Sequence, residues 1–132
     1  MSAYRTAILD EIAAEQWPYW APIRHHFGIS TFGINAWRGG EPGASVITEH
    51  DEAESGEPEL YFVVSGAARF TIAGEQLEAP AGMLVWVPDA AATRTAVATE
   101  AGTLVLSISG AAPGQPFEPS GWDTEYLEGD AG

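Results

Sequence analysis

The sequence predicts an all-β domain, an antiparallel barrel or sandwich entered through one short N-terminal helix. Three observations carry that reading. Residues 59–88 form a series of short runs rich in β-branched and aromatic residues. The runs are bounded by Ser65-Gly66, Ala73-Gly74 and Ala79-Pro80-Ala81-Gly82, whose glycines and proline supply or preset the φ values of tight turns. Short strands at this spacing continue beyond Pro88, as antiparallel barrels and sandwiches require.

Taken in order, residues 6–16 place Ile8, Leu9, Ile12 and Ala13 on one side and Asp10, Glu11 and Glu15 on the other, with Thr6 as N-cap, which predicts the helix. Trp17-Pro18-Tyr19-Trp20-Ala21-Pro22 cannot extend it, because the prolines remove donors and favour extended backbone. Its aromatics are expected across the barrel surface or at a contact between copies. His25 and His26 are adjacent, so on an extended segment they point to opposite faces and do not ligate one ion together. Residues 29–37 alternate Phe32, Ile34 and Ala36 against Thr31, Gly33 and Asn35, a strand with one apolar face.

Residues 45–52 begin as a strand and lead into an acidic segment reaching Glu59; alternation puts Val46, Thr48, His50 and Glu52 on one face. Runs 60–64 and 68–72 flank Ser65-Gly66 as a hairpin. Run 83–87 ends at Pro88, and 93–98 and 103–109 are the last strands. Prolines and glycines then predict an irregular tail anchored by Trp122 and Tyr126. The organisation is one domain: helix and covering segment at 1–42, barrel core at 43–110, tail at 111–132.

At 132 residues the chain is long enough for one real core, and without cysteine it has neither disulfides nor thiolate metal sites. A formal charge of −14, with five arginines and no lysine, argues against nucleic acid and anionic membranes as partners. No apolar run approaches the roughly 20 residues of a membrane span, and the N-terminus lacks the order of a signal peptide, so a cytoplasmic location is expected.

Two spacings resemble the motifs of the cupin superfamily. Glu59 and Gly66, with six residues between them, match the end of the family's first motif, and Gly82 and Pro88, with five between, match the start of the second. Residues 67–81 separate the two, similar to the compact spacer of small members. The resemblance implies a jelly-roll β-barrel with a pocket inside it. It also implies metal ligands, of which Glu59 stands in place and His50 matches the histidine before it. Glu52 occupies the alternating partner position, and the last histidine's position falls at Thr93, beside Arg94. The implied metal set is therefore His50, Glu52 and Glu59, suited to zinc or manganese, with a metal-free pocket the alternative. One imidazole is too few for a 2-His-1-carboxylate iron site, so iron oxygenase chemistry is disfavoured.

Glu59 opens an apolar strand, where an inward carboxylate needs a cation, a donor or a proton. Tyr61 shares its face and is a candidate lining residue. Thr93 and Arg94 are candidate ligand-binding residues, with alternation favouring Thr93 as the inward one. Trp86 is read as core. No hydrolase triad or phosphate-cradling loop is present. The expected function is binding of a small neutral or cationic molecule in a pocket lined by His50, Glu59 and Tyr61. One alternative is an isomerase- or cyclase-type enzyme with His50 and Glu59 as catalytic groups; another is a homodimer with a vestigial pocket.

Overall fold

A computed structural model describes residues 3–14, 17–119 and 127. Among these residues nine strands form two antiparallel sheets. The five-stranded sheet has the order β1 (Trp20–Ala21), β2 (Gly33–Gly39), β9 (Thr103–Ser109), β4 (Glu59–Ser65), β7 (Leu84–Val87). The four-stranded sheet has the order β3 (Ser45–His50), β8 (Arg94–Ala98), β5 (Ala67–Ile72), β6 (Glu75–Pro80). This is a jelly-roll architecture of two facing sheets. The strands that face the site alternate: in β4, Glu59, Tyr61 and Val63 are buried, and in β8, Arg94, Ala96 and Ala98 are. The apolar core between the sheets joins Val46 and Ile47 of β3, Val63 of β4, Phe70 of β5, Val85 of β7, Ala96 of β8 and Val105 of β9.

The helix lies elsewhere than the pattern of residues 6–16 predicts. Among the described residues only a 3-10 turn at Leu9–Glu11 forms there, and a short α-helix, α1, lies instead at Ile23–Phe27. An isolated helix of that length is marginal. Leu9 and Ile12 gain more by packing with Ala21, Ala36, Leu104 and Leu106 on the outer face of β2 and β9. Trp20 is fully buried within its own chain and stacks on Trp37 at 6.0 Å, so it is not a surface aromatic. His25 and His26 sit on α1 rather than on an extended segment, and Gly28 ends that helix in the left-handed conformation (φ 68°).

Ser65-Gly66 is not a hairpin turn. β4 pairs with β9 and β7, whereas β5 pairs with β6 and β8, so the chain crosses from one sheet to the other at Gly66. Ala73-Gly74, in contrast, closes a true β5–β6 hairpin with both residues at positive φ. Ala79 and Pro80 belong to β6, an edge strand where a missing ladder donor is tolerated. The framework also begins before residue 43, since all seven residues of β2 pair with β9. Trp86 is 57% exposed, because Val85 and Val87 take the inward parity of β7. Trp122 and Tyr126 lie outside the described residues. No described helix is long and apolar enough to cross a membrane.

Gly66 carries a backbone demand that Gly74 does not. Both have positive φ, but a Cβ at Gly66 would fall 2.3 Å from Thr103 Oγ1 and 2.6 Å from Thr103 Cα, while nothing lies within 4 Å at Gly74. Gly66→Ala is expected to cost roughly 2–5 kcal/mol, strain plus overpacking, against about 1–2 kcal/mol for Gly74→Ala. Urea unfolding of the two variants checks this; equal losses would contradict it.

Candidate functional site

The space between the sheets changes character along the strands. Beyond the apolar core, the inward row of the five-stranded sheet becomes polar: Asn35 and Trp37 of β2 lie across from Ser107 and Val105 of β9, which lie across from Tyr61 and Val63 of β4. A cavity of about 840 Å³ opens here, lined among others by Trp37, His50, Glu52, Glu59, Tyr61 and Ser107. In residues 29–37 the apolar Ala36 packs outward beneath the N-terminal cover, and Gly33 and Asn35 of the other set face the cavity. Trp37 donates to Ser107 Oγ (3.0 Å) and Trp20 to Asn35 Oδ1 (2.9 Å), which orients that wall. Asn35, Trp37 and Ser107 were not singled out in the sequence, although a polar row on a central strand is the signal that finds them.

β3 delivers His50 through two irregularities in its pairing with β8, between Ser45 and Ile47 and between Ile47 and His50. Val46 and Ile47 are therefore both buried, yet His50 again faces inward, opposite Arg94. Bulges of this kind re-aim side chains beside sites. The acidic loop then folds back: Glu52 N–H donates to Ala90 O at 2.7 Å and Gly56 N–H to Glu52 O at 2.7 Å, which holds Glu52 over the cavity.

Glu59 is the hub. Its Oε1 accepts from Tyr61 Oη at 2.5 Å and from Arg94 Nη1 at 2.7 Å, and lies 3.3 Å from His50 Nε2. His50 Nε2 is also 3.2 Å from Glu52 Oε1, and its Nδ1 donates to Thr48 O at 2.7 Å. Both ring nitrogens thus face acceptors, the arrangement of an imidazolium. The hydrogen bond to Glu52, then that to Glu59, pushes the His50 pKa up to about 10, against an opposing effect of burial. Burial acts to raise Glu59, but the hydrogen bonds from His50 and Tyr61 and the charges of His50 and Arg94 outweigh it and hold the carboxyl below its usual range. Tyr61 is pushed up, by burial first and by the Glu59 charge second. Glu57, on the same loop and lining the cavity, is raised by burial and by Glu52.

Arg94 and Thr93 exchange the places expected for them. Arg94 is fully buried, and Thr93 is exposed. Strand β8 is phased by its pairing with β3 and β5, which turns Ala96 and Ala98 inward and Arg94 with them. All three guanidinium nitrogens are engaged: Nη1 with Glu59, Nε with Ala92 O (2.9 Å) and Nη2 with Asp89 O (3.0 Å). Neither His25 nor His26 is among the described residues lining the cavity.

By spacing, His50, Glu52 and Glu59 are a candidate metal site, with one ligand atom from each within 4.8 Å of the others. An Nδ1–H held by a backbone carbonyl also leaves Nε2 as the ligating nitrogen of a neutral imidazole. The charge around them points the other way, because a fixed guanidinium already sits on the Glu59 oxygen.

The architecture matches solved structures. A cupin protein from Bacteroides fragilis superposes with a TM-score of 0.67 at 16% identity, over 90% of this chain and 93% of that one. The chain has the cupin fold. A sugar phosphate isomerase from a cupin superfamily, from Silicibacter pomeroyi, superposes with a TM-score of 0.57 at 20% identity, covering 71% of this chain and 59% of that one. KdgF from Halomonas sp. does so at 0.53 and 22% identity, covering 61% and 69%. No family model and no curated protein matches the sequence.

The shifted groups set a pH dependence. His50 has a folded pKa above its ordinary 6.5, so its contribution to stability is complete below about pH 6.5 and is lost as pH rises through about 10. Glu59 is depressed, so its contribution is present above its ordinary 4.5 and is lost as pH falls through the lower folded value. In an NMR titration the His50 ring is expected to keep its proton well above pH 7, and in Glu52→Gln its midpoint moves down, since Glu52 is the largest cause of the shift. A wild-type midpoint near the ordinary 6.5 would contradict this account.

Proposed function

We propose that this cupin domain binds a small neutral or cationic organic molecule in the cavity between its sheets, with His50, Glu59 and Tyr61 at its floor. The observation that carries the reading is a cavity of about 840 Å³ whose floor is a hydrogen-bonded cluster of inward polar groups, while the rest of the interior is apolar. Asp51, Glu52, Glu54, Glu57 and Glu118 also line it, against Arg24 and the His50 imidazolium on the cationic side, which favours neutral and cationic ligands over anions. A phosphorylated ligand of the kind implied by the isomerase among the similar structures would meet that acidic rim.

The test is saturation-transfer NMR with a fragment set balanced among cations, neutral molecules and anions. Hits are expected among cationic and neutral fragments and are expected to weaken in Tyr61→Phe and Glu57→Gln. A set of hits dominated by anions, or none at all, would refute the reading.

A second reading, proton transfer by an isomerase- or cyclase-type enzyme, is favoured by one observation: His50 lies between two carboxylates and can exchange a proton with either. In it, His50 is the proton-carrying group and Glu59 the carboxylate that orients it. Once a turnover is found, His50→Ala and Glu59→Gln are each expected to lower kcat about 10²–10⁴-fold. Unchanged kcat in both would remove this reading.

A further inference from the structure

We infer that Arg94 is the resident cation of this site, a positioning residue whose guanidinium stands where a divalent ion would otherwise neutralise Glu59, so that the site operates without metal. Three features of the geometry carry this. First, Arg94 is fully buried and cannot swing away: Glu59 Oε1, Ala92 O and Asp89 O hold its Nη1, Nε and Nη2 at 2.7, 2.9 and 3.0 Å. Second, Glu59 Oε1, the oxygen that faces His50, also receives Tyr61 Oη and Arg94 Nη1, so an ion taking that oxygen would have to displace donors from it. Third, Arg94 is the cross-strand partner of His50, which puts a permanent positive charge opposite the one imidazole of the candidate ligand set.

A divalent ion held by Glu59 would thus face a like charge in a buried setting where screening is weak. Of the two carboxylates that would offset that repulsion, Glu59 is already neutralised by Arg94, which leaves Glu52 and one imidazole. This inference does not rest on the small-molecule reading, because it concerns what holds Glu59 charged whether or not an organic ligand binds.

The experiment measures metal by plasma mass spectrometry and follows thermal unfolding, on untagged protein exposed to excess zinc or manganese and then desalted. Wild type, Arg94→Lys and Arg94→Met are compared. Wild type and Arg94→Lys are expected to stay far below one ion per chain, with no shift in unfolding midpoint on adding metal. Arg94→Lys keeps the charge but loses the fork to the two carbonyls, so its midpoint falls. Arg94→Met is expected to take up metal approaching one ion per chain, with an upward midpoint shift that EDTA reverses. Near-stoichiometric metal in wild type, or exclusion of metal by a folded Arg94→Met, would overturn the inference. If Arg94→Met does not fold, manganese titration of wild type decides: His50 ring resonances that broaden at stoichiometric manganese overturn it, and resonances that stay sharp support it.

Discussion

The ion pair between Glu59 and Arg94 is the constraint around which the polar half of this molecule is arranged. Glu59 lies on β4 of one sheet and Arg94 on β8 of the other, so their 2.7 Å contact ties the sheets together where apolar packing gives way to the cavity. Burying two charges is costly, and the interior recovers that cost only when every group is paired. Removing one partner of such a pair typically costs about 3–5 kcal/mol, because it strands the other charge. Here the guanidinium also reaches two backbone carbonyls, and Oε1 of the carboxylate also takes a phenol and an imidazole.

Around that pair the interior is graded. At one end Phe70, Val63, Val105, Ala68 and Ala98 fill the space between the sheets with side chains that need no partners. At the other, Trp37, Ser107, Tyr61 and His50 are inward but leave a cavity, and each of their polar atoms is directed by a neighbour. The outer face of β2 and β9 is sealed by the N-terminal segment through Leu9, Ile12 and Ala21, which frees the inner face of β2 to carry Asn35 and Trp37. On the far edge, Val64, Leu84 and Trp86 keep apolar surface exposed. The pairing irregularities of β3 and the folded-back acidic loop then bring His50 and Glu52 to Glu59.

Much of this could be read without coordinates wherever a single alternation decided the outcome. Glu59, Tyr61 and Val63 share a face because the run ELYFVV has one sensible phase, with Glu59 near its mouth end. His50 reaches the cavity although the strand is not regular, since its two pairing irregularities compensate and restore the inward phase. The spacing of Glu59, Gly66, Gly82 and Pro88 was enough to recognise the barrel type. Where two phases competed, pattern failed. In the run TRTAVA, Val97 is the larger apolar group, yet Ala96 and Ala98 face the core and take Arg94 in with them.

The sequence by itself determined the fold class, the strand-rich middle, the acidic character and the candidacy of His50, Glu52, Glu59 and Tyr61, because these follow from local alternation, turn chemistry and charge. Only the tertiary structure decided that Ser65-Gly66 is a crossing between sheets, that residues 6–14 cover a sheet rather than forming a helix, and that Arg94 is inside. Each of those depends on which strand pairs with which. Register sets the face of every side chain in a sheet, and a one-residue change of phase would have put Thr93, not Arg94, against Glu59.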